Sequence, residues 1–240
     1  MQQYFIDTPI HIRQPVIFTK EQQHHLRVLR IKKETVRLVY GGRAFLAEVS
    51  AGSEGYTAEV LSEDSSMHEL QYPITLIASL IERTRFEWIL QKAAELGVNR
   101  IVPLESSRCV YRISSDKKEK VYQRWNTILM EASQQCKRNK VPELMDPCSL
   151  TKISQYASEH NYAAYEKAGI EAEMLSEVFD GRASCSIAIG PEGGFSEEEV
   201  RMLSDNGFMS IDLGSRILRS ETAAVYVCSV ASELIERVNR

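Results

Sequence analysis

The spacing of hydrophobic residues along the chain changes near residue 70. Before that point, segments rich in β-branched and aromatic residues, at 35–42, 43–50 and 55–61, are separated by glycine-containing turns. This pattern predicts short strands joined as hairpins. Ahead of them, residues 19–30 are typical of a short helix capped by Thr19. We therefore predict a small β-rich domain over residues 1–70, similar to barrels of the OB or PUA kind.

From residue 71 onward, strands of the buried type alternate with amphipathic helices. Strands are predicted at 74–80, 100–106, 162–166, 185–190 and 210–214. Helices are predicted at 85–97, 117–136, 150–159, 172–179, 196–206 and 221–238. This alternation favours an α/β domain over residues 71–240, with helices on both faces of a mostly parallel sheet. Ligands of such sheets usually bind beyond the carboxyl ends of the strands.

The composition limits location and chemistry. No apolar run approaches the roughly 20 residues that cross a membrane, and the N-terminus does not resemble a secretory signal. The five cysteines are scattered and form no Cys-x-x-Cys pair, which favours a reduced setting over a disulfide framework. His24 and His25 have no cysteine or carboxylate at ligand spacing. We predict a cytoplasmic protein without a membrane segment or a metal site.

The charges are unevenly distributed. The net charge is −4, yet residues 11–43 carry eight Lys or Arg against two acids, and residues 108–140 carry nine against three. Residues 141–210 reverse the balance, with thirteen acids against four bases. Two basic segments on an acidic body indicate a localised surface for a polyanion such as RNA. Ordinary solvated surface charge explains the same pattern and stays the alternative.

A glycine-rich turn follows the strand predicted at 185–190. The turn, Ile-Gly-Pro-Glu-Gly-Gly, leads to Ser196 and Glu199, which are spaced as a capping box at the start of a helix. Glu197 and Glu198 add negative charge there, which disfavours a bound phosphate. The glycines would let a neutral or cationic ligand approach the backbone closely. Taken alone, the segment fits a simple connecting turn equally well.

A second turn of this type follows the strand predicted at 210–214. After Gly214, an Ile217-Leu218 pair lies between two arginines, just before the last helix. If both turns meet at one edge of the sheet, Ile189, Leu213 and this pair form an apolar slot for a flat ring. Plain core packing of the pair is the alternative.

The two turns closely resemble the signature of a known family. Residues 189–199, IGPEGGFSEEE, and 213–223, LGSRILRSETA, are similar to those of the SPOUT-superfamily 16S rRNA uridine-N3 methyltransferases of the RsmE type. Residues 24–30, 91–108 and 138–144 resemble further segments of that family, in the same order. A single short motif would be weak, whereas several in order are specific.

The resemblance implies features that residue spacing does not indicate. It implies that residues 71–240 form a SPOUT domain whose trefoil knot binds S-adenosylmethionine, and that residues 1–70 form a PUA-like β-barrel that contacts RNA. It also implies a homodimer acting on the small ribosomal subunit, where N3 of a uridine in the decoding region of 16S rRNA is methylated. A sulfonium cofactor without phosphate agrees with the acidic helix start.

The resemblance also assigns roles to residues. The predicted cofactor-binding residues are Ile189, Gly190, Gly193, Gly194, Leu213, Gly214, Ile217, Leu218 and Thr222. The predicted contacts with RNA are Arg13, His25, Arg27, Arg30 and Lys32. These basic side chains would contact phosphates, which contribute affinity but do not identify a base. For Thr222, capping of the last helix is the alternative role.

Methylation at N3 places further demands on the site. The weakly acidic N3 proton must leave, so the site needs a base, or a cation that stabilises negative charge on O2 and O4. Arg138 and Arg219 are the predicted cations, although either would equally hold a phosphate. Glu192 and Glu221 are the predicted bases, although Glu221 also stands where a carboxylate stabilises a helix start.

The chain departs from the usual pattern of the family at two positions. Glu82-Arg83 stands where a Lys-Gly pair is usual, and Gln134, Gln135 and Cys136 stand where Glu-Gln-Ser is usual. Two other functions stay open on sequence alone. One is a SPOUT RNA methyltransferase of different specificity, for example for a ribose 2′-oxygen, and the other is a non-catalytic rRNA-binding assembly factor.

Overall fold

The computed structural model describes residues 1–53, 55–166 and 172–238. Contacts within the chain define two compact units. The first unit comprises Met1–Glu69 together with Ser133–Lys140, and the second comprises Leu70–Ala132 and Val141–Arg240. A segment that is distant in sequence, Ser133–Lys140, therefore belongs to the first unit.

The first unit is built on one mixed sheet. Its elements are β1 (Gln3–Phe5), β2 (Pro15–Ile17), α1 (Lys20–Val28), β3 (Lys33–Tyr40), β4 (Arg43–Gly52) and β5 (Gly55–Asp64). The strands lie in the order β1-β3-β4-β5-β2, in which β1 is parallel to β3 and the other pairs are antiparallel. Gly41 and Gly42, with φ of 58° and 79°, form the turn between β3 and β4. The predicted turn between β4 and β5 includes Glu54, which lies outside the described residues.

Local signals in the sequence explain how this unit begins and packs. Thr19 and Gln22 form a capping box, in which each side chain accepts a hydrogen bond from the other residue's backbone N–H. On the inner side of α1, Leu26 is fully buried and packs with Val36, Leu38 and residues of the other strands. The unit thus has a hydrophobic core of its own.

The second unit alternates strands with helices, as predicted. Its elements are β6 (Ile74–Ser79), α2 (Arg83–Glu95), β7 (Arg100–Glu105), α3 (Lys118–Gln135), β8 (Glu143–Leu144), β9 (Cys148–Ser149), β10 (His160–Ala164), α4 (Leu175–Val178), β11 (Cys185–Ile189), α5 (Glu197–Asp205), β12 (Met209–Ile211) and α6 (Ser220–Val238). The residues predicted as a helix at 150–159 form a 3₁₀ helix, Leu150–Tyr156, instead of an α-helix.

The strands of the second unit form one parallel sheet. Their order is β12-β10-β11-β6-β7-β8, with β9 paired to β7, and each of these pairs is parallel. The predicted α/β class with a mostly parallel sheet is therefore confirmed. Since β10, β11 and β12 are neighbours, their carboxyl ends lie side by side at one edge of the sheet.

Helices cover both faces of this sheet. Along β6, Ile74, Leu76 and Ala78 belong to a core cluster that includes residues of α2, α3 and α6. Ile77 points the other way, into a cluster with residues of α5 and the 3₁₀ helix. This alternation follows from the two-residue repeat of a strand. Within the described residues, no helix is long and apolar enough to cross a membrane.

Candidate functional site

The carboxyl ends of β10, β11 and β12 surround one cavity. The cavity has a volume of about 490 Å³ and is lined by residues 164–166, by 189–192 with 194 and 195, and by 212–218 with 220 and 223. Its size falls within the usual range for a small-molecule site. Both turns identified in the sequence, after β11 and after β12, contribute to it, and the end of β10 forms a third part.

Most of the predicted cofactor residues line this cavity. They are Ile189, Gly190, Gly194, Leu213, Gly214, Ile217 and Leu218. Gly193 and Thr222 do not line it, and both are exposed. Gly193 instead lies beside Arg108, whose Nη1 donates to the Gly193 carbonyl oxygen at 2.8 Å. A role of these residues in binding stays a prediction.

The turn after β11 requires its glycines for close packing. A Cβ on Gly190 would lie 3.1 Å from the backbone nitrogen of Phe195, which is tighter than ordinary van der Waals contact. Gly194 has a φ of 64°, in the left-handed region that favours glycine. The turn therefore folds back tightly on itself, and this leaves room for a ligand against the backbone.

The helix start after this turn is already satisfied by side chains. Ser196 accepts from the backbone N–H of Glu199, and the Glu199 carboxylate accepts from that of Ser196 at 2.8 Å. The predicted capping box is therefore present. Glu199 also accepts from the backbone N–H of Ser107 at 2.7 Å, which connects the segment after β7 to this turn.

A buried hydrogen bond joins the two turns. The Ser220 hydroxyl, at the start of α6, donates to the Gly190 carbonyl oxygen at 2.6 Å. Ser220 is 5% exposed, so water does not compete for this bond. The contact holds the start of α6 against the turn after β11.

The lining has a mixed character with an acidic excess. Ile189, Leu213 and Leu218 provide apolar surface, while Ile217 is 84% exposed at the rim. Among the described residues of the lining, three carry a carboxylate, Glu166, Glu192 and Asp212, and Arg216 alone carries a guanidinium. Apolar walls with a surplus of carboxylates suit a ligand that has a flat apolar part and a positive charge.

The two predicted bases share an arginine that sequence reasoning missed. Glu192 lines the cavity, and its Oε1 lies 3.7 Å from Nη1 of Arg85. Glu221, in the first turn of α6, places its own Oε1 3.9 Å from Nε of Arg85. The other oxygen of Glu221 is buried and has no hydrogen-bond partner among the described residues.

The departure at Glu82-Arg83 has a local explanation. Glu82 is the N-cap of α2, and its carboxylate accepts from the backbone N–H groups of Thr84 and Arg85. The hydrogen bond from Thr84 lowers the pKa of Glu82, because it stabilises the ionised form. Arg83 pairs with Glu87 one turn further along. This cap fixes the backbone that carries Arg85.

The two predicted cations lie in different surroundings. Arg219, just before α6, is exposed and does not line the cavity. Arg138 belongs to the first unit, where it is 2% exposed and its Nη2 lies 2.6 Å from the Glu69 carboxylate. The same carboxylate accepts from the backbone N–H groups of Asn139 and Lys140. A role of either arginine in the reaction stays a prediction.

A second buried arginine holds the same segment within the first unit. Arg37 is 1% exposed and uses every N–H of its guanidinium. Its acceptors are Gln3 Oε1, Asp64 Oδ2, Asn139 Oδ1 and the carbonyl oxygens of Ser66 and Lys137, at 2.6 to 3.0 Å. The hydrogen bond from Arg37 lowers the pKa of Asp64 to about 2.

The predicted RNA contacts all lie on the surface of the first unit. Arg13, His25, Arg27, Arg30 and Lys32 are exposed. His25 Nδ1 lies 3.1 Å from the Tyr4 hydroxyl, and burial raises the pKa of Tyr4 to about 12. The tautomer of His25 decides which of the two groups donates this hydrogen bond. The exposure of these side chains agrees with a contact surface.

The residues near the site that the sequence did not predict have one property in common. Arg85, Arg108 and the end of β10 reach the site from parts of the chain remote from both glycine turns. The strand at 162–166 was predicted, but its place beside β11 was not. Among the described residues, no group of three or more His, Cys, Asp or Glu side chains could hold a metal ion.

Comparison with known proteins agrees with this geometry. Residues 68–232 match the model of an RNA methyltransferase domain family. A ribosomal RNA small subunit methyltransferase E from Mesomycoplasma hyopneumoniae is 32% identical, over 88% of this chain and 91% of the relative. The protein of the same name from Bacillus subtilis is 31% identical, over 97% of this chain and 96% of the relative.

Solved structures give the same result. A methyltransferase from Legionella pneumophila with bound S-adenosylmethionine superimposes with a TM-score of 0.87 at 30% identity, over 96% of each chain. The ribosomal RNA small subunit methyltransferase E from Neisseria gonorrhoeae, also bound to S-adenosylmethionine, gives 0.88 at 29% identity, over 98% of each chain. The family resemblance seen in the two glycine turns is thus confirmed, and the chain belongs to the ribosomal RNA small subunit methyltransferase E family.

Proposed function

We propose that this protein uses S-adenosylmethionine to methylate N3 of one uridine in the decoding region of 16S rRNA. The observation that carries the proposal is the cavity at the ends of β10, β11 and β12, which contains both family motifs and has apolar walls with surplus carboxylates. Relatives with this architecture bind S-adenosylmethionine.

The residues around the cavity fit this cofactor chemically. An adenine ring would lie against Ile189, Leu213 and Leu218, with backbone groups of both turns at its edge. The carboxylates of Glu166, Glu192 and Asp212 favour a cation, and the satisfied start of α5 offers no free site for a phosphate. When bound, S-adenosylmethionine supplies a methyl group on a sulfonium, which is activated for transfer to a nucleophile.

The protein must make the uracil ring reactive and hold it in line with that methyl group. Positioning contributes a large part of the rate in such transfers. The N3 proton must also leave, and Glu192 is our first choice as its acceptor because it lines the cavity. Glu221 is the second choice, since one of its oxygens lacks a partner among the described residues.

We further propose that the first unit binds the RNA. Its exposed basic residues at 13–32 would contact phosphates of the small subunit, and its sheet would complete a PUA-like barrel. A trefoil knot in the second unit, a homodimer and action in the cytoplasm belong to the same proposal. Family membership and the order β12-β10-β11-β6 of the strands support it.

The proposal is tested on small ribosomal subunits from a strain that lacks the gene. The purified protein is incubated with these subunits and methyl-labelled S-adenosylmethionine, and the rRNA is digested to nucleosides for mass spectrometry. We expect the label on N3-methyluridine at a single position. Label on another atom would keep the cofactor and overturn the base specificity. No label with intact binding of S-adenosylmethionine would indicate a different substrate particle, and no label without binding would favour the assembly-factor alternative.

A further inference from the structure

Arg85 lies next to three acidic residues, one of which, Glu192, lines the cavity, whereas Arg85 itself is not among the lining residues. Glu82 caps the helix that carries it, and its carboxylate accepts from the backbone N–H of Arg85 at 3.2 Å. Glu192 lies in the turn after β11 and Glu221 in the first turn of α6, and both bring a carboxylate within 4 Å of the Arg85 guanidinium. The arginine is therefore located where the two family motifs meet, although it belongs to neither.

The guanidinium of Arg85 has two carboxylates nearby, but its N–H groups form no hydrogen bond with them. Its two carboxylate partners lie at 3.7 and 3.9 Å, which exceeds hydrogen-bond distance. Its side chain is 41% exposed, and it makes no side-chain hydrogen bond to any described residue. A planar group with five N–H donors is thus available to a ligand that carries carbonyl or anionic oxygens.

The other arginines considered for this role are placed less suitably. Arg138 is 2% exposed, and its guanidinium already bonds to Glu69. Arg219 is exposed and forms no ion pair within the part of the chain that the structure describes. Arg216 lines the cavity on the turn after β12, where it also lacks an ion pair with any described carboxylate. Among the described residues, only Arg85 lies within 4 Å of the carboxylates of both predicted bases, Glu192 and Glu221.

We propose that Arg85 is a catalytic residue whose guanidinium binds a ring carbonyl oxygen of the target uracil and stabilises its negative charge. This inference rests on the proposed function. A cation placed where negative charge develops stabilises the transition state and so raises the rate. Glu192 and Glu221 orient the guanidinium loosely, so that the uracil oxygen can replace them as its nearest acceptor.

The step balances in protons and electrons. The N3–H bond of uracil breaks, and its proton passes to a carboxylate, for which we choose Glu192, and then to water. A bond forms from N3 to the methyl carbon while the carbon–sulfur bond breaks, and its electron pair stays on sulfur. Arg85 keeps its charge throughout and contributes only where negative charge accumulates on the base.

The test compares Arg85→Met with Arg85→Lys and with Arg83→Met. Arg83 is the matched control, because it lies in the same first turn of α2, is 56% exposed and has Glu87 as its single ion-pair partner among the described residues. We expect the kcat of Arg85→Met to fall about 10²- to 10³-fold, with the KM for S-adenosylmethionine unchanged. Arg85→Lys should recover part of this loss, and Arg83→Met should retain the wild-type kcat.

A second substrate distinguishes a catalytic role of Arg85 from a structural one. In small subunits reconstituted on rRNA transcribed with 5-fluorouridine, the N3 proton of the target is more acidic, so the base needs less help to ionise. The deficit of Arg85→Met should then shrink by about tenfold or more, as expected for a group that stabilises the base anion. An equal deficit on both substrates, or an equal loss in Arg83→Met, would overturn the role of Arg85.

The two proposals fail in distinguishable ways. If the wild-type protein labels an atom other than N3, the proposed function fails, and the role of Arg85 falls with it. If the wild type labels N3 and Arg85→Met keeps its kcat, only the inference about Arg85 fails. Should Arg85→Met not fold, Arg85→Lys still decides the question, through its own kcat on the two substrates.

Discussion

The two units use arginine in opposite ways. In the first unit, Arg37 is 1% exposed and donates five hydrogen bonds at 2.6 to 3.0 Å. In the second unit, Arg85 is 41% exposed, and its nearest carboxylate oxygens lie at 3.7 and 3.9 Å. The first arginine has no capacity left for a ligand, whereas the second has most of its donors available.

The difference teaches how to separate structural from functional arginines. A buried guanidinium must be fully hydrogen-bonded, because an unpaired buried charge costs several kcal/mol. A half-exposed guanidinium keeps its hydration, so loose partners are tolerated and a ligand can replace them. Arg138, with its bond to Glu69, follows the pattern of Arg37. The number of satisfied donors is therefore a better guide than position in a motif.

Of the substitutions compared, replacement of the buried Arg37 should lower the free energy of unfolding the most. Arg37→Met leaves Asp64 without its cation and Gln3 and Asn139 without a donor. We expect the free energy of unfolding to fall by about 3–5 kcal/mol, as for other buried pairs that lose one partner. Urea unfolding followed by circular dichroism measures this change.

A matched control exists on the same sheet. Arg43 pairs with Glu63 at 2.6 Å, but the two side chains are 66% and 44% exposed. Arg43→Met should leave the urea midpoint unchanged, because solvent screens an exposed pair. Equal losses in the two variants would contradict the distinction between buried and exposed arginines.

Replacement of Asp64 should lower the free energy of unfolding less than replacement of Arg37, and the loss should depend on pH. The hydrogen bond from Arg37, with others from Ser66, lowers its pKa from 3.8 to about 2. A lowered pKa stabilises the folded state above pH 4 or so, and this contribution is lost as the pH falls toward about 2. At neutral pH, Asp64→Asn should therefore cost about 1–2 kcal/mol after allowance for screening.

The measurement compares wild type and Asp64→Asn by urea unfolding at neutral and at acidic pH. The difference in unfolding free energy should narrow as the pH falls below about 4, since protonation removes the advantage of the wild type. A difference that is constant with pH would show that the Arg37–Asp64 pair does not depend on the charge of Asp64.

The smallest effect on stability is expected at Arg85. Arg85→Met removes two loose ion pairs of a half-exposed side chain, so the free energy of unfolding should change by less than about 1 kcal/mol. Thermal unfolding of this variant beside Arg37→Met would sharpen the contrast. A loss at Arg85 as large as that at Arg37 would assign both residues to the structural class.

Much of the second unit could be predicted from the sequence. The helices at 85–97 and 221–238 were placed within two residues at each end, because their apolar repeat and caps are local signals. The helix predicted at 172–179 is reduced to Leu175–Val178. Met174 forms a parallel bridge with Asp212 and is itself extended, with φ of −77° and ψ of 155°, so the helix begins after it.

The sequence predicts those residues of the cavity lining that lie together in one continuous motif. Gly190, Gly194 and Gly214 were recognised because turns and motifs are continuous in sequence. Arg85 and the end of β10 were missed, since their approach depends on the strand order β12-β10-β11-β6, which periodicity does not reveal. The association of Ser133–Lys140 with the first unit likewise depends on contacts with Glu69 and Arg37.

The cavity draws all its lining from residues 164–223, including Ser220 and Ala223 of α6. A nascent chain emerges from the ribosome with its N-terminal residues first, so the parts of this site are synthesised after β1 to β9. More than a hundred residues separate β6, at the centre of the sheet, from its neighbour β11. β6 therefore cannot complete its pairing until β11 has been synthesised. The cofactor stabilises only a chain that can bind it. During synthesis it therefore gives no protection against proteases until α6 has left the exit tunnel.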